Sequence, residues 1–462
     1  MNIRSAAAIV AVAGTVFAVS GPSAGAVTPP EVDSAVTPPS GSAGPVEPMA
    51  QRNPCVTSGV VPGSDPAAVN PNQLSLNLSE AWTHSRGEGQ IVAVIDTGVT
   101  RGPRLPNVDP GGDFVASGDG LTDCDGHGTL VAGLIAGQTG PDGFSGVAPA
   151  ARILAIRQTS PRYSPSDSGE DPALTRATID TQTLARAVVR AADMGARVIT
   201  ISSVTCIPVG MAVDQSELGA ALRYAAVEKD VVIVAAAGDM GAGCAANPLT
   251  DPALPSDPRN WSGVGSLSIP AWWQQYVLSV GSVGADGAPS PYTMPGPWVG
   301  IAAPGERITS LSNDEAGGLA NGMLTTDQQM DPVSGTGYAT AYVSGVAALV
   351  RSRFPEMTAQ DVVSRLTATA HAAARSPSNL VGAGGIDPVA ALTWDVSLDS
   401  DVDPAAVREV AAPPAPEPKD PLPRVVAFAG VGVLALLVLA AFVVSAKRPR
   451  TQGAIQRKDS PS

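Results

Sequence analysis

The chain has 462 residues, with 28 Lys and Arg against 42 Asp and Glu, a formal charge of −14. That balance excludes a nucleic-acid binder, which needs basic patches to neutralise phosphates. With 44 % hydrophobic residues it is no charged disordered chain, and its 49 Gly and 43 Pro, without a collagen period, point to many turns and flexible tails. Four cysteines are too few for a disulfide-dense scaffold but enough for two bridges in an exported protein.

Residues 1–26 read as a secretory signal. Arg4 gives a basic start, residues 6–19 are apolar, and Ala24-Gly25-Ala26 is a small-x-small cleavage site ahead of Val27. Residues 27–79 read as an irregular N-terminal extension, Pro-rich to about Pro71. From residue 90 to about 393, short apolar runs alternate with longer amphipathic ones. Residues 91–95, 198–201 and 231–235 predict buried strands; 183–194, 217–228 and 338–353 predict helices. Alternation of this kind implies an α/β fold, a mainly parallel sheet covered on both faces. Residues 160–172, rich in Ser, Pro and acid, predict a surface loop.

Residues 398–424 form a Pro-rich linker, a stiff extended spacer. Residues 425–446 are 22 residues without a charge, long enough to cross a bilayer of about 30 Å. Lys447, Arg448 and Arg450 follow, and positive charge marks the cytoplasmic side. The expected topology is a single-pass cell-membrane protein with residues 80–397 as a large extracytoplasmic domain and 447–462 as a short cytoplasmic tail. Disulfides are then the default for Cys55, Cys124, Cys206 and Cys244, with three pairings open.

Functional groups in parallel sheets gather at the carboxyl ends of strands. Asp96 follows the first strand in Asp96-Thr97-Gly98, and His127 opens His127-Gly128-Thr129-Leu130-Val131-Ala132-Gly133. An acid that orients a histidine is two-thirds of a nucleophilic triad. These motifs, with the Gly335-Thr336-Gly337-Tyr338-Ala339 helix start, resemble the subtilisin-like serine proteases in their order Asp, His, Ser. The Asp123-Cys124-Asp125-Gly126-His127 run, Gly143-Phe144-Ser145-Gly146-Val147-Ala148-Pro149 and Ile156-Arg157-Gln158-Thr159-Ser160 are similar to the mycosins, membrane-anchored subtilases of type VII secretion systems. The resemblance implies a three-layer subtilisin-like fold. It also implies the pairings Cys55–Cys124 and Cys206–Cys244, the first tethering the extension as structural wrapping. By the same resemblance the substrate groove has Ser202, Ser203 and Val204 as one edge, with Val204 narrowing it, and Ala236, Ala237 and Gly238 as a wall.

The departures from the family pattern decide the expected activity. Gly337 stands at the serine position, and Ala341 where the family carries Pro. Ser334 lies too early and Ser344 too late in the helix to replace the missing hydroxyl. Asp239 stands where the family places the oxyanion-hole Asn, and an ionised carboxylate only accepts hydrogen bonds. In subtilisin, a relative, losing the oxyanion donor costs about 10²–10³ in rate, and losing the serine costs on the order of 10⁶. The expectation is therefore a pseudoprotease stabilising a type VII secretion membrane complex, whose subunits are its partners. A slow endopeptidase acting on secreted polypeptides, with Asp96 and His127 activating water, and a peptide-binding module are the alternatives. No cofactor is expected. Asp123 and Asp125 flank one histidine with no second ligand cluster, so no metal is expected. His84 and His371 lie outside any motif and read as surface residues.

Overall fold

A computed structural model describes residues 27–396, apart from 242, 252, 254, 326, 374 and 375, together with residues 430–441. The expected signal, linker and tail lie outside the described residues. Of the apolar run, 430–441 is an exposed helix. Among the described residues no helix is long and apolar enough to cross a membrane. The chain divides into two units, Met1–Leu398 and Asp399–Ser462.

The first unit is built on a nine-stranded sheet in the order His371–Ala372, Gly384–Gly385, Val299–Pro304, Val277–Val283, Val232–Ala236, Val198–Ile201, Ile91–Asp96, Arg152–Arg157, Val108–Asp113. All neighbours are parallel except the first pair. Alternation within each strand supplies two cores. Val92, Val94, Val198 and Val234 face one side, against helices His127–Ala136 and Thr336–Arg353. Ala93, Ile95, Ile199 and Ile201 face the other, against helices Pro172–Asp193 and Ser216–Arg223. The strand Ile91–Asp96 pairs with Val198–Ile201 on one side and Arg152–Arg157 on the other. Its carboxyl end is thus central, and it carries Asp96.

Three expected boundaries are corrected. The helix expected over 183–194 starts at Pro172: Asp171 accepts from the N–H groups of Ala173 and Leu174, and Pro172 occupies a first-turn position where its missing N–H costs nothing. The expected loop 160–172 contains the strand Tyr163–Pro165, paired antiparallel with Met49–Gln51 of the extension. The expected helix 217–228 is α-helical over Ser216–Arg223 and widens into a π-helical turn at Tyr224–Glu228.

The extension, expected to be irregular, contains the strand Met49–Gln51 and the short helix Pro71–Ser75, and it is sewn down along its length. Gly44 N–H donates to Asp113 O, and Val56 N–H to Cys124 O. Gly59 and Gly322 exchange two backbone hydrogen bonds of 3.0 Å. Ser58 N–H reaches Asn313 Oδ1 (2.8 Å), and Gln275 Nε2 donates to Pro30 O. Both expected disulfides are present: Cys55–Cys124 and Cys206–Cys244, with Cα–Cα separations of 4.5 and 4.9 Å.

Candidate active site

Asp96 is fully buried at the end of its strand, and His127 is the first residue of its helix. Nδ1 of His127 lies 2.9 Å from both carboxylate oxygens of Asp96. Thr97 N–H donates to Asp96 Oδ1 at 2.6 Å, and the Ser202 hydroxyl donates to Oδ2. Burial alone would raise the Asp96 carboxyl; the charge and hydrogen bond of His127, with the donors of Ser202 and Thr97, hold it below its ordinary value. Burial pulls the His127 imidazole down, but Asp96, aided by Asp123 and Asp239, wins and pushes it up to about 9.

Asp123 fixes the loop entering the histidine helix. Oδ1 accepts from Thr97 Oγ1 (2.8 Å) and from the N–H groups of Asp125 (3.1 Å) and Gly126 (2.8 Å). Oδ2 accepts from Thr129 N–H (2.8 Å) and Thr129 Oγ1 (2.7 Å). Its environment is a hydrogen-bonding hub, and among the described residues no group of three or more His, Cys, Asp or Glu is arranged to hold a metal ion. Asp125 accepts from the Ser160 hydroxyl and stands 3.6 Å from Arg162 Nε.

Gly337 lies in the first turn of helix Thr336–Arg353, facing the imidazole. A Cβ built there would stand 3.3 Å from His127 Nε2 and 2.5 Å from the Ser202 carbonyl oxygen. Among the described residues no hydroxyl hydrogen-bonds to that Nε2. Ser334 accepts from Arg307 N–H, and Ser344 is fully buried in the helix. The ring of Tyr338 packs 4.9 Å from that of His127, centroid to centroid. Asp239 Oδ1 accepts from Thr336 N–H at 2.9 Å; burial raises its carboxyl despite that bond and the nearby His127.

A cleft of about 330 Å³ joins these groups, lined by His127, Ser202, Ser203, Val204, Ala236, Gly238, Asp239, Cys244 and Met323 among others. Ala237 is not on the wall: it is fully buried and bonds Val280 O through its N–H. A larger cavity, about 680 Å³, lies between Leu76, Val283 and Ile386. His371, at that cavity, is 70 % exposed and pairs with Asp387 at 3.3 Å; His84 is half-buried. The structure adds Ser202 as a second side-chain donor to Asp96, the Asp123 hub, the Tyr338 ring and Met323. Only the hub had a signal in sequence, the Asp-x-Asp-Gly run beside the histidine.

The model of the Subtilase family matches residues 87–384. Mycosin-3 of Mycobacterium tuberculosis is 59 % identical over 456 residues, covering 97 % of this chain and 99 % of that relative. The chain is a subtilase of the mycosin group. A solved MycP3 protease from a type VII (ESX-3) secretion system shares this subtilase's fold with a TM-score of 0.78 and 67 % identity, over 80 % of this chain and 100 % of that one. A chain of an intact ESX-5 inner membrane complex matches it with a TM-score of 0.79 and 44 % identity, over 91 % of this mycosin and 100 % of that chain.

Proposed function

We propose that this mycosin is a catalytically inactive structural component of a type VII secretion membrane complex. One observation carries the inactive reading. The position facing His127 Nε2 is Gly337, and the space a serine Cβ needs is taken by a backbone carbonyl. Without the hydroxyl there is no atom to form an acyl-enzyme, a loss on the order of 10⁶ in rate in subtilisin. The likeness to a chain of the ESX-5 inner membrane complex supports the complex as its partner. The apolar run 425–446 and the basic residues after it support a single-pass anchor, with the subtilase domain extracytoplasmic and a short cytoplasmic tail.

Two measurements test this. A fluorophosphonate should leave the purified full-length chain unlabelled, and covalent labelling within the cleft would overturn the inactive reading. In cells, deleting the gene should disperse the secretion complex on a native gel, while Asp96→Ala or His127→Ala should leave complex and secretion intact. A secretion defect confined to those variants would favour the endopeptidase reading, for which the retained Asp96–His127 pair is the supporting feature.

A further inference from the structure

The helix Thr336–Arg353 begins at Gly335, which has no side chain to cap it. Helices Pro172–Asp193 and Ala359–Ala368 are capped by the side chain just before them, Asp171 and Thr358, whereas His127–Ala136 and Ser216–Arg223 have no side-chain cap. Here the acceptor comes from 97 residues away, where Asp239 Oδ1 receives the Thr336 N–H at 2.9 Å. The bond is returned, because Gly238 N–H donates to Thr336 Oγ1 at 3.2 Å. Oδ2 of Asp239 lies where a Cβ on Gly335 would come within 2.8 Å, so the carboxylate leaves a local cap no room. The backbone beneath is pinned on both sides: Met240 N–H donates to Tyr292 O and Met294 N–H to Gly238 O.

We propose that Asp239 and Thr336 form a clasp that caps this helix from a distance and also makes the oxyanion position an acceptor. The Thr336 N–H selects which oxygen of residue 239 faces the helix, and so fixes what faces the cleft. An Asn held by the same bond would turn its NH₂ toward the cleft as a donor. Asp239 lines the cleft, and while ionised its carboxylate offers only acceptor oxygens, which repel a developing oxyanion. Asp239 is thus a positioning residue and a block on hydrolysis separate from the missing hydroxyl. The clasp deepens the inactive reading and rests on it, but it is tested separately.

On the native background, Asp239→Ala removes the acceptor and should lower Tm by about 2 °C or more. Asp239→Asn keeps the acceptor and sheds the burial cost of a charge, so its Tm should not fall below that of the unaltered chain. An unchanged Tm in Asp239→Ala would overturn the cap. On a Gly337→Ser background, adding Asp239→Asn should raise kcat for a peptide substrate by about 10²–10³ with KM little moved. Equal kcat in single and double variants, or a change confined to KM, would overturn the polarity argument. Because Gly337→Ser is crowded and could fail to fold, the native-background melts stand as an independent arm. Fluorophosphonate labelling of the unaltered chain would sink the inactive reading instead.

Discussion

Gly337 and Ser202 approach so closely that a single added carbon on the glycine would meet the serine's carbonyl oxygen at 2.5 Å. Real Cβ atoms do not sit so near a backbone oxygen, so the turn has settled into a shape that only glycine fills.

Restoring the side chain should therefore cost stability. Gly337→Ala and Gly337→Ser should each destabilise the fold by about 1–3 kcal/mol, the usual cost of overpacking. The helix-propensity gain of Ala over Gly, about 1 kcal/mol, offsets part of this. Urea melts measure it, and an alanine variant more stable than the parent would show that the turn relaxes freely.

The Asp96–His127 pair sets a pH window. The histidine's folded pKa, about 9, lies above its ordinary 6.5. Its contribution is full below about pH 6.5 and is lost as pH rises through about 9, amounting to roughly 1–3 kcal/mol. Asp96, held below its ordinary value, loses its own contribution only on the acid side. Thermal melts from pH 6 to 10 should show a decline that flattens in His127→Gln; the same slope in both proteins would assign it elsewhere.

Asp123 supports the histidine without touching it. Asp123→Ala strands five donors, three of them backbone N–H groups, and should cost about 3 kcal/mol or more. Asp123→Asn keeps one acceptor oxygen and should fall between. Chemical denaturation orders the three proteins, and near-equal midpoints would deny the hub its role.

The bridge Cys55–Cys124 spans 69 residues of sequence and Cys206–Cys244 spans 38. In the chain-entropy account the longer loop stabilises more, and removing either bond typically costs about 2–5 kcal/mol. The double change Cys55→Ser with Cys124→Ser should open residues 27–60 to proteolysis, read by mass spectrometry, while removing the other bridge should leave that segment protected.

Much of this architecture was legible in local pattern. Strands 91–95 and 198–201 announce themselves because a strand buried on both faces is apolar throughout, and Asp96 and His127 stand beside such signals. The helix from Pro172 was missed over its first turns. Its residues 173–182 include the β-branched Thr175, Thr178, Ile179 and Thr181, which weaken the helical pattern, and Asp171-Pro172, a capping pair, is the sign of the start. The Tyr163–Pro165 strand left no local sign, since its partner lies over a hundred residues earlier in an extension without periodicity. The Ser202 bond to Asp96 and the Asp239–Thr336 clasp are likewise joined only by the fold. Ala237, expected on the groove wall, is buried instead because wall residues alternate: Ala236 and Gly238 line the cleft and the residue between them does not.

The stitching of the extension also determines what a nick in it would do. If the backbone were cut near residue 62, the upstream piece would keep its strand pairing with Tyr163–Pro165 and its covalent link through Cys55. The downstream piece would stay moored through Asn70 and Asn72 to Arg307 and Glu306. Both fragments would co-migrate in a non-denaturing gel and separate only in reductant and detergent together, so an N-terminus newly found by sequencing would record scission without any departure of the severed piece.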